Sequence, residues 1–503
     1  MAAGSLAAWM LEQEARALLA RLSRVHPFAL AETMVPAAAL SPAAASAIDR
    51  YLIQGRRSLR GQVQAYLRWL RGPGRGSAPA EMQRRFTILK LRFNRALTQL
   101  DLFSEAVTQR SESQMGVWLS GLDVAAAEAL TLPGRAIEAP PIICLVHRGL
   151  GGAIRRARTR LPGGGSNPAS IIRIPRERMI GYGVASSLVH EVGHQAAALL
   201  GLVESLRLEL QRMQRERPAA ERPAWTLWER WISEIVADFW AIGKVGIAST
   251  LGLIGVVSLP RWFVFRMHPE DPHPFGWIRV MLSCRVGEAL YPHPQWRRVA
   301  ETWQSFYPVE DVAPEMRTTI AALIHTMPAF VHLLTTHRPP ALGGGSLAEV
   351  MPLAERSPAR LLALWDGWLE DPEQMRRAAP SLAFAVLGQA RASGRITPER
   401  ETELLGRLIV HWAVRSALDT AAMTAQATPA QVMPLGQPAI WLGRSRLLRA
   451  AGMGRRPARR PGPPRRPSYR PETQRPRTQR LEPAPARSVA GPSALRTPVS
   501  ARR

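Results

Sequence analysis

From Ala7 to about Ala127, apolar residues recur at three- and four-residue spacing, as in Leu18, Leu19 and Leu22 and again in Ile88, Leu89, Leu91, Phe93 and Leu97. That period predicts amphipathic helices, the first over Met1 to Leu22, with a loop at Gly72 to Pro79. Between Pro140 and Pro175 the pattern changes. Two short apolar runs, Ile142 to Val146 and Ile171 to Ile174, flank a turn-rich stretch with Gly163, Gly164, Gly165 and Pro168, which predicts a small sheet. Helices are predicted next at Gly183 to Leu200 and Leu227 to Ile242, separated by the charged connector Arg212 to Arg222. Phe239 to Leu259 is 21 residues long with one charge, Lys244, enough to span a bilayer. Gly243, Gly246, Gly252 and Gly255 and an uncharged part of only 15 residues favour a buried helical hairpin instead. Glu315 to Ala427 is again helical in pattern, broken at Gly343 to Ser346.

The chain therefore reads as mainly α (α+β), in four blocks: a helical region 1–130, a core with the small sheet at 131–305, a helical domain 306–450, and a tail 451–503. Hydrophobic residues at 46% and charged residues at 21% are ordinary globular values and exclude wholesale disorder. The tail is different. Its last 51 residues hold 14 arginines, 11 prolines and two glutamates, too little apolar surface for a core, so disorder is expected there. It contributes +12 of the net +27 and leaves +15 on the rest.

Of the 66 basic residues only Lys90 and Lys244 are lysines. Such an arginine bias reflects genomic base composition as readily as selection for phosphate binding, so high basicity alone does not imply a nucleic-acid partner. Electrostatic contact of the tail with nucleic acid or another acidic surface stays open. Cys144 and Cys284 are too few for a disulfide framework or a thiolate metal site and fit a reducing, cytoplasmic setting, with membrane association the less favoured alternative. The first 22 residues carry Glu12 and Glu14 and read as a helix rather than a secretion signal.

The chemistry is concentrated in His190-Glu191-Val192-Gly193-His194, a His-Glu-x-x-His pattern inside an apolar helix. Residues four apart share one helix face, so both imidazoles can address one metal ion while Glu191 stands beside it. Two packing histidines are the bland alternative. Against it, Glu234 follows on the next predicted helix and Asp238 one turn later, among Trp231, Ile232, Phe239 and Trp240, where unpaired carboxylates would be costly. Glu234 is the expected third ligand, and Asp238 the acceptor for the outer N–H of a ligating histidine. Asp271-Pro272-His273-Pro274 and then Arg279 complete the set.

His-Glu-x-x-His, then Glu-x-x-x-Asp, then His-Pro followed by Arg resembles the gluzincin metallopeptidases of the CAAX prenyl protease and HtpX-like family, over roughly Ile171 to Val280. The resemblance implies a zincin-like core that binds one Zn2+ per chain through His190, His194 and Glu234. It implies Glu191 as general base, His273 as oxyanion partner, Asp238 behind the ligands and Arg279 in a supporting electrostatic role. A peptide or protein is then the substrate, and Ile171 to Ile174 the edge strand that pairs with it. A soluble relative is expected, since the chain has at most one doubtful membrane span. The alternatives from another class are a non-proteolytic scaffold with an arginine-rich tail that binds nucleic acid, membrane or a large assembly, or a protease associated with DNA.

Other features read more plainly. His268 and His293 are packing or surface residues. The runs Gly163 to Ser166 and Gly343 to Ser346 lack the strand, helix and lysine of a phosphate loop. Arg155, Arg156, Arg158 and Arg160 read as a solvated face, with an acidic peptide or lipid as the alternative ligand.

Overall fold

A computed structural model of the chain describes residues 3–24, 33–134, 137–148, 152–161, 165–179, 181–268 and 270–427; the expected disordered tail lies outside them. The first helices are α1 (Ala3–Leu22), α2 (Pro42–Arg71), α3 (Pro79–Thr108) and α4 (Ser113–Ala129). The strands follow as β1 (Ile142–His147), β2 (Ala153–Arg155) and β3 (Ser170–Pro175). Next come α5 (Tyr182–Leu199), α6 (Leu202–Glu216), α7 (Arg222–Val245), α8 (Ile247–Val257), α9 (Arg261–Val264) and α10 (Gly276–Leu290). The chain continues through α11 (Gln295–Phe306), α12 (Pro314–Thr336), α13 (Leu347–Val350), α14 (Pro358–Glu370), α15 (Pro372–Arg377), α16 (Pro380–Ala392) and α17 (Pro398–Ala427). The fold is thus mainly helical with a small sheet, as expected.

Proline supplies many of the starts. It occupies the first turn of α2, α3, α12, α14 and α16, where its missing N–H costs nothing and its fixed φ suits a helix. At α2 the Ser41 side chain also accepts from Ala44 N at 3.3 Å.

The sheet has the order β1-β3-β2, with β1 parallel and β2 antiparallel to β3. The expected edge strand Ile171 to Ile174 is therefore the central strand. Its apolar run gave no sign of this, because the strands that lie beside it are set by distant segments and not by its own pattern. Alternation divides the sheet's side chains. Ile142, Cys144, Val146, Ile172 and Ile174 join a large core with α4 to α8 and the C-terminal helices, while Ile143, Leu145 and Ile171 join a second core with α1, α2 and α3.

The outer edge of β1 is closed by side chains. Gln109 accepts from Val146 N (2.8 Å) and donates to Val146 O (3.0 Å). Two residues earlier, Asp123 accepts from Cys144 N at 2.6 Å and Arg110 donates to Cys144 O at 2.7 Å, the two being paired with each other at 3.1 Å. Side chains here do the work of a missing strand and protect the edge.

The doubtful membrane segment is broken. Gly246, with φ at 57°, separates α7 from α8, and α8 turns back to pack against α5. Only a residue free of a Cβ takes that conformation cheaply, so the segment is two helices and not one continuous helix. Among the described residues one helix, α12, is long and apolar enough to cross a membrane. One side of it is packed, with Phe330 stacked on Trp228 at 4.6 Å.

The described residues all belong to one compact unit, so the blocks expected at 1–130, 131–305 and 306–450 are regions of that unit. The reason is visible at α4, which packs on α17: Gly121 lies so close to Ile409 that a Cβ there would meet its carbonyl oxygen. Glu128 also accepts from Ser381 N and Oγ at 2.8 and 2.9 Å.

Arg110 is fully buried, so replacing it by alanine strands the Asp123 carboxylate and the Cys144 carbonyl. We expect Arg110→Ala to lower stability by about 3–5 kcal/mol, measured by denaturant unfolding.

Candidate metal centre

Four elements converge on one point. α5 carries His190, Glu191 and His194; α7 carries Glu234 and Asp238; the segment before α10 supplies His273; and α10 itself supplies Arg279. The two imidazoles stand 4.8 Å apart, edge to face, as the four-residue spacing requires.

Glu234 reaches them from α7. Its Oε2 is 3.3 Å from His190 Nε2 and its Oε1 is 3.5 Å from His194 Nε2. One donor atom from each of the three side chains lies within 4.8 Å of the others, so His190, His194 and Glu234 form a group able to hold a metal ion. Glu234 Oε2 is buried and makes no hydrogen bond of good geometry, though nitrogens face it. Donors of roughly 2.0–2.1 Å bond length around a tetrahedral ion lie about 3.3–3.5 Å apart, which the carboxylate-to-imidazole distances match.

Behind the donors, His190 Nδ1 lies 2.8 Å from Asp238 Oδ1. The Arg279 guanidinium grips the same carboxylate with two hydrogen bonds, Nε to Oδ2 at 2.7 Å and Nη2 to Oδ1 at 2.9 Å. His273 Nε2 is 3.1 Å from Glu234 Oε2, and its Nδ1 is 2.7 Å from Asp271 Oδ1. Every residue expected at the site is there, and Arg279 acts through Asp238.

Burial and charge set the protonation states. Burial would raise Glu234, but the ring nitrogens of His190, His194 and His273 that face it hold its carboxyl well below the usual range. Asp238 is likewise held down against burial by Arg279 and His190. Burial works against charge on His190, yet Asp238 and Glu234 outweigh it and push its pKa up to about 10. His273 is raised chiefly by the Glu234 carboxylate that its Nε2 faces. Glu191 is raised by burial, which His190 and His194 only partly offset.

No family model, curated protein or solved structure matches the chain.

Several residues that build the site were not singled out from the sequence. Gly193 lies where α5 crosses α7, and a Cβ there would sit 2.8 Å from Ala237 Cα and O. Its hydrogen lets the helices approach until Glu234 meets the histidines. Gly152, just before β2, leaves room for Glu191: a Cβ would lie 2.7 Å from Oε1. Gln195 Oε1 accepts from Ala157 N (2.9 Å) and Ser170 Oγ (2.6 Å), tying the strands to α5. Arg178 donates to Ser187 Oγ at 3.3 Å and its charge acts on Glu191. A glycine and a glutamine inside an apolar helix were the only signals for two of them.

Two outcomes follow from this geometry. Arg279→Lys keeps the charge but loses the two-pronged grip on Asp238, and metal affinity should fall about 10- to 100-fold, read by competition with a chromophoric chelator. Separately, the raised pKa of His190 means its contribution to the stability of metal-free protein is full below about pH 6.5 and is lost as pH rises through about 10. A metal must displace that proton, so affinity should rise with pH. Calorimetric zinc titrations at pH 7 in buffers of different ionisation enthalpy should report about one proton released.

Proposed function

We propose that the protein is a zinc-dependent endopeptidase. The observation that carries this reading is the set of three donors, two imidazoles and a carboxylate within 4.8 Å of one another, with the buried carboxylate of Glu191 on the helix that bears the imidazoles. Two histidines and a glutamate are a recurrent catalytic ligand set for zinc, which leaves a fourth position open. Bound there, zinc would supply Lewis acidity and lower the pKa of a bound water to about 7.

Glu191 is the general base. It takes a proton from the attacking water and gives it to the departing amine nitrogen, and its raised pKa brings it nearer the working pH. His273, held at Nδ1 by Asp271 and favoured in its protonated form, would turn its Nε2–H from Glu234 to the developing oxyanion once that carboxylate holds the ion. Asp238 and Arg279 keep the His190 ring in the orientation that presents Nε2 to the ion.

The substrate we infer is an extended peptide. β2, not β3, supports this: among the described residues its outer edge pairs with no strand, while the opposite edge at β1 is sealed. A peptide added to β2 would satisfy the free backbone groups and lie beside Gly152, against which Glu191 packs. A scaffold that only binds has no use for a buried carboxylate in that place.

Purified protein should carry near one equivalent of zinc, and Glu234→Ala should carry little. Glu191→Gln should keep the metal and lose about 10²- to 10⁴-fold in peptide cleavage. Equal zinc in wild type and Glu234→Ala, or full activity in Glu191→Gln, would remove this assignment.

A further inference from the structure

On the far side of the sheet from the metal centre, α2, α3 and the β2–β3 connection enclose a cavity of about 610 Å3. Its walls are of two kinds. Leu59 and Leu100 give an apolar side, and Tyr51, Gln62, Arg92 and Arg160 a polar one. Behind Tyr51 stands Arg155, which is partly buried and donates to Gln99 Oε1. Arg173 is on the same face: Arg155 pairs in register with Ile171, which points into the core of α1 to α3, and Arg173 lies two residues further along β3.

What sets these arginines apart is that they share one face around a hollow without an acid among them. Other arginines are offset by carboxylates close by, as Arg84 and Arg85 are by Glu81, Arg212 by Glu209 and Glu216, and Arg415 by Asp419. Among the described residues, none of Arg92, Arg155, Arg160 and Arg173 makes an ion pair. Arg155 meets the charge of Arg173 instead, and burial and that repulsion both disfavour its cationic form. Gathering like charges around a hollow costs free energy unless an anion offsets it.

We propose that this cavity binds an organic phosphate, its phosphoryl groups between Arg92 and Arg160 and its apolar part against Leu59 and Leu100. Guanidinium forks match phosphate oxygens two at a time, and hydroxyl and amide groups at Tyr51 and Gln62 can complete the set. The volume falls in the range of small-molecule pockets and is larger than an inorganic phosphate needs. The site is independent of the metal and of the peptidase reading.

The test uses the full chain and ATP as probe, by calorimetry at 0.15 M salt, where loose electrostatic contacts with other arginines are largely screened. Saturable binding of one ATP per chain is expected, at least tenfold weaker in the double variant Arg92→Gln/Arg160→Gln. Both side chains are exposed, so the variant is expected to fold, with circular dichroism as the check. Arg160→Gln alone should weaken binding by a smaller factor. Inorganic pyrophosphate should displace ATP, since the arginines recognise the phosphoryl part. Absence of ATP binding, equal binding by the double variant, or failure of pyrophosphate to compete would each overturn the proposal.

Discussion

Two carboxylates of α7 are buried against α5, and the site exists because each is faced by cations or ring nitrogens rather than by water. An unpartnered carboxylate at such depth would be neutralised or would push the helices apart. Asp238 is held by Arg279 on one side and His190 on the other, and Glu234 by three imidazoles. The arrangement is reciprocal: Arg279 needs Asp238 as much as the reverse, since it too is almost fully enclosed. It also explains the wall of tryptophan behind α7. Trp225, Trp228 and Trp240 fill other faces of that helix, and Trp231 packs one turn before Glu234, so Glu234 and Asp238 are left little choice of direction.

That direction meets α5 only because the two helices touch where neither has bulk, at Gly193 and Ala237. Side chains set the spacing between packed helices, and the smallest pair gives the closest crossing. The pattern of histidines on one helix face is thus necessary but incomplete. A glycine between them decides whether a carboxylate from another helix can arrive at hydrogen-bonding distance.

What the sequence made legible divides along the same line. The spacing of His190, Glu191 and His194 fixed their common face, and the cost of burying Glu234 and Asp238 pointed to partners that the structure supplies. The strands at Ile142 and Ile171 were readable from local apolar runs, and so was the break near Gly246. Long-range relations were not. Nothing in the run Ile171 to Ile174 reveals two neighbouring strands, and no local pattern tells that α4 packs on α17, some 280 residues later. Gln109, Arg110 and Asp123 look like ordinary polar residues of a helical region, yet they close the edge of a strand that lies further along the chain.

The sheet owes its asymmetry to those three residues. Two identical open edges would invite strand addition on both sides, and self-association with it. Here the β1 edge is closed within the chain at both peptide groups of Cys144 and Val146, whereas the outer edge of β2 pairs with no strand among the described residues. β2 is also the strand that Gly152 leads into beside Glu191, while Arg155 at its other end turns toward the basic cavity. A strand of three residues has little stability of its own. Its position rests on β3, on Gln195 through Ala157, and on Asn167, which donates to Arg155 O and Arg156 O.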